Sequence, residues 1–149
     1  MAGLKLSRRT ITAGPLTVAV EMDDGDRIHA VNLPRKIPAG LNREHLSSLL
    51  RQLEGHELAI PDSPPFHRKV WQRLRRIPWG GTQPYGGIAA ALGNPRASRA
   101  VGQACAANPF ALIVPCHRVR GAQGPGGFAW GAGWKAKLLE LESAPRPRR

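Results

Sequence analysis

Five residues, Pro61-Asp62-Ser63-Pro64-Pro65, constrain this chain more than any others. Three prolines in five positions fix φ and remove three backbone donors, so neither a helix interior nor a central strand can run through them. The segment therefore divides the 149 residues into two parts. The charge divides at the same place. Residues 1–65 hold eight Lys/Arg against eight Asp/Glu, whereas residues 66–149 hold fourteen against two, Glu140 and Glu142. From Phe66 to Leu139 there are eleven basic residues and no acid. The net charge of +12 thus belongs wholly to the second part. One-sided positive charge favours a polyanionic partner, through release of counterions from phosphates. A merely basic soluble surface is the alternative, and charge alone tilts only slightly toward nucleic acid.

Composition closes off several classes. The hydrophobic fraction of 42% supports a packed core. No stretch approaches the ~20 apolar residues of a membrane span, so no membrane partner is expected. Two cysteines, Cys105 and Cys116, exclude a disulfide scaffold and a Cys-rich zinc site. His29, His45, His56 and His67 have no cysteine partners at zinc-ligand spacing, so neither a metal nor a cofactor is expected.

The first part reads as a small α/β domain over residues 1–63. Ser7-Arg8-Arg9-Thr10 superficially resembles a twin-arginine export signal, but Gly14-Pro15 breaks the run that follows, and Ile11 to Val20 reads as a strand. Thr17–Met22 and Arg27–Leu33 flank the turn chemistry of Asp23-Asp24-Gly25-Asp26 and predict a hairpin. Asn42 can cap a helix bearing Leu46, Leu49, Leu50 and Leu53 on one face. Leu58–Ile60 is a candidate third strand.

The second part, residues 64–143, reads as mainly helical. A helix over 65–76 carries Phe66, Val70, Trp71 and Leu74 on one face. Helices over 86–92 and 96–106, separated by Gly93-Asn94-Pro95, have helix-turn-helix dimensions. A short apolar run, Leu112-Ile113-Val114, leads into Pro115-Cys116-His117-Arg118. A glycine-rich loop over 121–133 and an amphipathic helix over 134–142 follow. Residues 144–149 read as a disordered basic tail.

Cys116 is the central chemical suspect. A thiol of ordinary pKa, ~8.5, is only a few per cent ionised near neutrality, and the thiolate is the nucleophile. Neighbouring cations and a histidine base would raise that fraction, and His117 and Arg118 adjoin it. His117 would act through a bridging water, because adjacent residues do not necessarily face each other. An acid must orient the histidine, and Glu142 on the last helix could return to it. Glu140 could equally be a solvated charge, and Cys116 could be a small core residue. Cys105 reads as packing. Trp71 and Trp79 read as core.

Further residues carry a resemblance. Pro115-Cys116-His117-Arg118-Val119 is similar to the active-site signature of the O6-alkylguanine-DNA alkyltransferases. Phe66-x-x-x-Val70-Trp71, Ile77-Pro78-x-Gly80-x-Thr82, Tyr85-Gly86-x-Ile88-Ala89, Leu92-Gly93-Asn94-Pro95, Arg99-Ala100-Val101-Gly102 and Asn108-Pro109 stand in that family's order. So do Lys135 and Leu138-Leu139-x-x-Glu142. The resemblance covers residues 64–142; the first 60 residues resemble a shortened N-terminal α/β domain of the family.

The resemblance implies a ribonuclease H-like α/β subdomain followed by a winged-helix-like helix-turn-helix domain. It implies a monomer, cytoplasmic and nucleoid-associated or nuclear in a eukaryote, that binds double-stranded DNA. The protein would flip out an O6-alkylguanine, with O4-alkylthymine a second candidate, and accept the alkyl group irreversibly on Cys116. Glu142 would hold His117, and His117 would take the thiol proton through water. Tyr85 and Lys135 match substrate-site residues, the Val119 carbonyl would read the exocyclic amine, and Phe128 and Ala129 would line the base. Arg99 would fill the gap left by the base, with Ala97, Ser98, Ala100, Gly102 and Arg118 against the DNA. Asn108 would tie the recognition helix to the active-site strand.

This chain departs from the family at Gly127-Phe128-Ala129-Trp130-Gly131, where Gly-Tyr-x-Gly-Gly is common, and at Gln83-Pro84 before Tyr85. Trp130 would either narrow the pocket or turn outward. Three rival readings exist: a non-catalytic alkyltransferase-like lesion binder, a Cys-His-Glu hydrolase, and a helix-turn-helix regulator with an incidental cysteine.

Overall fold

The computed structural model describes residues 5–121 and 126–148. Expectations for residues 1–4, for 122–125 of the glycine-rich loop and for Arg149 lie outside the described residues. The chain forms two compact units. The first holds residues up to Pro61 together with Pro109–Ile113 and the segment from Arg146; the second holds Asp62–Asn108 and Val114–Pro145.

In the first unit, strands β1 (Leu6–Ala13), β2 (Leu16–Asp23) and β3 (Ile28–Asn32) form an antiparallel sheet in that order. The expected single strand over 11–20 is corrected to two strands meeting at Gly14-Pro15. Gly14 has φ +56, and a Cβ there would run into the His45 ring, so the tight turn requires glycine. The Ser7–Thr10 run lies within β1. In β2, Leu16, Val18, Val20 and Met22 point inward, while Thr17 and Glu21 point outward. That period of two fixes the register, since a one-residue slip would expose all four apolar side chains. The Asp23 carboxylate closes the next turn, accepting from the Gly25 and Arg27 amides at 2.9 and 3.1 Å.

Helix α1 (Arg43–Glu54) starts at the Asn42 cap. Asn42 Oδ1 accepts from the His45 amide at 2.9 Å, and His45 Nδ1 accepts from the Asn42 amide at 3.2 Å. This reciprocal pair is a capping box with histidine in the place usually held by Glu or Gln. Leu46, Leu49, Leu50 and Leu53 form its buried face. Leu58 makes a single parallel bridge to Ile28 rather than a full strand.

Two segments correct the linear reading of domains 1–63, 64–143 and 144–149. Phe110 bridges Val31, with Val31 N donating to Pro109 O at 2.9 Å and Ala111 N to Val31 O at 3.2 Å, so residues 109–113 belong to the first unit. The basic tail is held where it is described. Arg146 pairs with Glu54 at 3.1 Å and donates to Ser47 Oγ at 3.0 Å. These contacts were invisible locally because each joins residues about 80–100 positions apart.

The second unit contains α2 (Pro65–Leu74), α3 (Tyr85–Ala91), α4 (Ser98–Ala106) and α5 (Ala132–Leu141). A two-stranded parallel ladder joins β4 (Gln83–Pro84) to β5 (Val119–Arg120). Pro65 stands at the first turn of α2, where its missing N–H is not needed. Trp71 is buried and its indole N–H donates to the Ala104 carbonyl at 2.8 Å, tying α2 to α4. Trp79 donates to the Ala144 carbonyl at 2.7 Å. Helix α4 begins at Ser98, two residues later than expected, because Asn94-Pro95 and Gly93, at φ +82, use that length as a turn. Helix α5 begins after Gly131, at φ +103, a conformation that a side chain disfavours. No helix among the described residues is long and apolar enough to cross a membrane.

Candidate active site

All the groups described here belong to the second unit. Cys116, His117 and Arg118 form one turn of 3-10 helix after Pro115. The turn bends the chain sharply enough to aim consecutive side chains in different directions, and all three are buried.

Glu142 caps the C-terminal end of α5. A carboxylate is electrostatically disfavoured there by the exposed carbonyls, so its partners must compensate. Oε2 of Glu142 lies 2.8 Å from His117 Nε2, and Arg118 spans both oxygens, with Nε at 2.8 Å from Oε1 and Nη2 at 2.9 Å from Oε2. Arg118 Nη1 donates to the Ile77 carbonyl at 2.8 Å. Burial raises the Glu142 pKa, but the His117 and Arg118 hydrogen bonds and charges outweigh it and hold the carboxyl at about 2. The expected placing of Arg118 on DNA is thereby corrected. Its guanidinium is inside, locked in a bidentate pair that fixes Glu142 as an anion.

An ionised carboxylate only accepts, so the proton between the two must sit on His117 Nε2. In the neutral ring that leaves Nδ1 with its lone pair free. Burial pushes the His117 pKa down against the opposing pull of Glu142, which keeps the ring neutral. Nδ1 is buried and has no hydrogen-bond partner among the described residues. The geometry thus presents a fixed tautomer with one unused basic nitrogen, as a general base needs. The Phe128 ring meets His117 edge-on, with centroids 6.1 Å apart.

Cys116 Sγ accepts from Asn108 Nδ2 at 3.1 Å, and the same amide group donates to the Val114 carbonyl at 2.9 Å. Asn108 therefore ties the chain just after α4 to the segment entering Cys116. Burial pushes the Cys116 pKa well up, and its hydrogen bond with the Cys105 thiol pushes the same way; Asn108 and the Lys135 charge oppose this. The expectation that neighbouring cations would leave Cys116 part-ionised is corrected: desolvation wins, and the group rests as a thiol. Cys105, read from sequence as packing, is a missed member of the site, because its contact with Cys116 spans eleven positions and no local pattern marks it.

Lys135 is buried on α5 and donates to the Val119 carbonyl and, at 3.1 Å, to the Gly127 carbonyl. Burial lowers its pKa. The Val119 carbonyl, expected to read a base, is already engaged by Lys135, with its second lone pair available. Tyr85 is half-buried, and its hydroxyl donates to the Gly127 carbonyl at 3.4 Å. Burial raises its pKa, so it remains a donor. Gly126, at φ +78, lies so close to the Tyr85 ring that a Cβ there would sit 2.8 Å from it.

A cavity of about 870 Å³ brings together Tyr85, Cys105, Cys116, Phe128 and Ala129, with Ser98, Arg99 and Gly102 of α4 along one wall. Arg99 is exposed. Ala97 and Ala100 belong to the same stretch but do not line the cavity. Trp130 does not line it either: its ring packs on Phe128 at 5.2 Å, so the large side chain backs the wall instead of filling the space. Among the described residues no group of three or more His, Cys, Asp and Glu could hold a metal ion.

The α3–α4 pair thus borders a cavity lined by a cysteine whose sequence neighbour is an oriented histidine, an arrangement suited to nucleophilic chemistry. Comparison with known proteins agrees. Residues 65–144 match the family model described as 6-O-methylguanine DNA methyltransferase, DNA binding domain, and the chain belongs to that family. It is 46% identical over 113 residues to the methylated-DNA–protein-cysteine methyltransferase of Methanosarcina acetivorans, covering 69% of this chain and 72% of that protein. It is 54% identical over 78 residues to a probable methylated-DNA–protein-cysteine methyltransferase of Acanthamoeba polyphaga mimivirus, covering 52% of each. The match thus spans only about half of the mimivirus protein's length. A crystal structure of Mycobacterium tuberculosis OGT in complex with DNA superposes with a TM-score of 0.72 at 34% identity, covering 91% of this chain and 92% of that one.

Proposed function

We propose that this protein repairs duplex DNA by moving the alkyl group of an O6-alkylguanine onto its own Cys116, once per molecule. The observation that carries the reading is the floor of the cavity. Cys116 lies there beside Asn108, and His117 is held by an ionised Glu142 with Nδ1 unused.

The chemistry follows from these positions. His117 Nδ1 takes the Cys116 proton through a water. The sulfur forms a bond to the alkyl carbon as the carbon–oxygen bond breaks, leaving a thioether and an intact guanine. Because Cys116 rests protonated, proton removal accompanies attack, which spares the thiol from adventitious reaction between encounters. Tyr85 donates toward the charge that develops on the leaving base. Phe128 and Ala129 flank the base, and the Val119 carbonyl accepts from its exocyclic amine. No thiol is regenerated, so product is stoichiometric with protein. O4-alkylthymine is a second substrate of the same chemistry. Every group comes from one chain, which suits a monomer, and the substrate places its work with chromosomal DNA in the cytoplasm or nucleus. We read the first unit as a shortened ribonuclease H-like domain and the second as winged-helix-like, supported by its α3–α4 pair and β4–β5 ladder.

The test is the mass of the protein after mixing with duplex DNA carrying one O6-methylguanine. A gain of about 14 Da, one methylene, confined to the Cys116 peptide and saturating at one per molecule is expected of covalent transfer to a nucleophile. Tight binding with no mass gain would replace transfer with lesion recognition alone.

The DNA grip is proposed to lie on α4, with Arg99 entering the space vacated by the base, and Ala97, Ser98, Ala100 and Gly102 allowing close approach. Arg99→Ala should slow transfer from duplex by about 10–100-fold, since unstacking costs a few kcal/mol, while transfer from the free base is unchanged. Equal losses on both substrates would remove Arg99 from that role. Arg68, Lys69, Arg75, Arg76, Arg96 and Arg120 are exposed. If about four of these cations touch phosphates, binding should weaken on the order of a hundredfold between 50 and 200 mM salt. A flat titration would sink the phosphate argument.

A further inference from the structure

The cavity holds a second thiol that the transfer reaction does not use. Cys105 and Cys116 are both free, and both line the cavity. The Cys116 thiol is directed at the Cys105 backbone carbonyl, 3.7 Å away. We propose that Cys105 and Cys116 form a redox pair, which a hydroperoxide converts into an intramolecular disulfide and a thiol reductant restores.

Three features favour this over two inert buried cysteines. Both cysteines line one cavity, and the Cys116 sulfur lies against the Cys105 backbone, so the two residues are already neighbours. The Lys135 charge favours the anionic form of both. A cation beside a thiol is the environment of reactive cysteines, whereas apolar burial gives inert ones. Finally, Cys105 is the penultimate residue of α4, and Cys116 opens the 3-10 turn, so both backbones lie at element ends. Such ends adjust more readily than helix interiors when two sulfurs must close to the ~2.05 Å of an S–S bond. Access runs through the cavity, whose rim includes exposed Arg99 and Ala129.

The steps balance without a further reactant. The Cys105 thiolate attacks one oxygen of the hydroperoxide. The O–O bond breaks, hydroxide (or alkoxide) leaves and takes a proton, and Cys105 becomes a sulfenic acid. The Cys116 sulfur then attacks Cys105 sulfur. The S–O bond breaks, and the departing hydroxide takes the Cys116 proton as water. Two thiols lose two electrons and two protons, and for hydrogen peroxide two waters form. The pair also protects Cys116, since a disulfide is recoverable and a sulfinic acid is not. Formation of the disulfide is independent of the transfer reading; only its consequence, reversible loss of alkyl acceptance, rests on it.

The experiment uses the full, reduced chain with a small excess of hydrogen peroxide, followed by intact and peptide mass under non-reducing conditions. The expected product has lost about 2 Da, contains one cross-linked Cys105–Cys116 peptide, and returns to the starting mass with dithiothreitol. Alkyl transfer should fall more than about tenfold on oxidation and recover on reduction. Cys105→Ser and Cys105→Ala, a polar and an apolar replacement, should both give no cross-link and should drive Cys116 to an irreversible gain of about 32 Da. Wild-type protein that instead gains about 16 or 32 Da on Cys116 with Cys105 still a free thiol would overturn the proposal. So would identical Cys116 oxidation in wild type and both variants. The two readings fail separately. A reduced protein that cross-links but never accepts an alkyl group refutes transfer alone. One that accepts alkyl groups but never cross-links refutes the pair alone.

Discussion

Cys116→Ala should show no mass gain with O6-methylguanine duplex while keeping its affinity for that duplex within about threefold. The expected rate loss is on the order of a millionfold, the scale of nucleophile removal elsewhere. The fold should tolerate the change. Asn108 Nδ2 keeps its bond to the Val114 carbonyl, so its side chain stays anchored when the Cys116 acceptor is lost. Removing one sulfur leaves a small void next to an existing cavity, a cost of about 1–2 kcal/mol. Lost binding would point to misfolding and is checked by thermal denaturation. Retained transfer in this variant would move the nucleophile, and Cys105, on the same cavity wall, is where the alkyl group would then be found.

Glu142→Gln tests the charge network beneath the nucleophile. The substitution leaves Arg118 buried without its counter-charge, and truncating one partner of a buried pair costs about 3–5 kcal/mol. For a protein of this size that corresponds to a fall of about 6–20 °C in Tm. The amide can donate as well as accept, so it no longer compels the proton onto His117 Nε2, and the free lone pair on Nδ1 is no longer assured. Transfer should therefore slow by about 10²–10⁴, the usual worth of a general base. An unchanged Tm would contradict the burial of the pair, and an unchanged rate at temperatures where the variant is folded would remove His117 as the base.

The same network sets an acid response. In the folded protein Glu142 is held at about 2, below its ordinary 4.5, so the folded state binds fewer protons than the unfolded chain as pH falls. Its contribution to stability is complete above its ordinary pKa and is lost progressively as pH drops from there toward 2. His117 acts in the same direction at higher pH. Its folded pKa lies below the ordinary 6.5, so the unfolded chain gains that proton first and stability begins to decline below about that pH. Wild type should lose stability in both ranges; Glu142→Gln should lose less in the lower one, where Asp23, also held below the usual carboxylate range by its hydrogen bonds, still contributes. A pH-independent difference between the two proteins would refute this assignment.

Local sequence determined a great deal here. The capping residue Asn42 and the Leu46, Leu49, Leu50, Leu53 spacing specify α1, and Pro65 with Val70, Trp71 and Leu74 specifies α2, because caps and periodic faces involve residues within a few positions of each other. The Gly93-Asn94-Pro95 turn marked the helix pair, and the Pro115–Val119 motif marked Cys116 and its neighbours as the candidate site. The one-sided charge was a property of composition and needed no structure.

Tertiary structure alone decided the rest. Whether Arg118 faces a phosphate or a carboxylate depends on where α5 ends, 24 residues later in the chain. Phe110 joins β3 across most of the chain, and Arg146 returns to α1, so neither could be assigned to the first unit by reading along the sequence. The choice between Glu140 and Glu142 fell to helix phase: Glu142 turns inward to His117 and Arg118, while Glu140 remains exposed. The protonation of Cys116 was the least legible feature. Flanking residues suggested activation, but its pKa is set first by burial and then by Cys105, and both exist only after distant segments close over the thiol. Sequence names the groups that can react; desolvation and long-range contact decide which of them are charged, and which can meet.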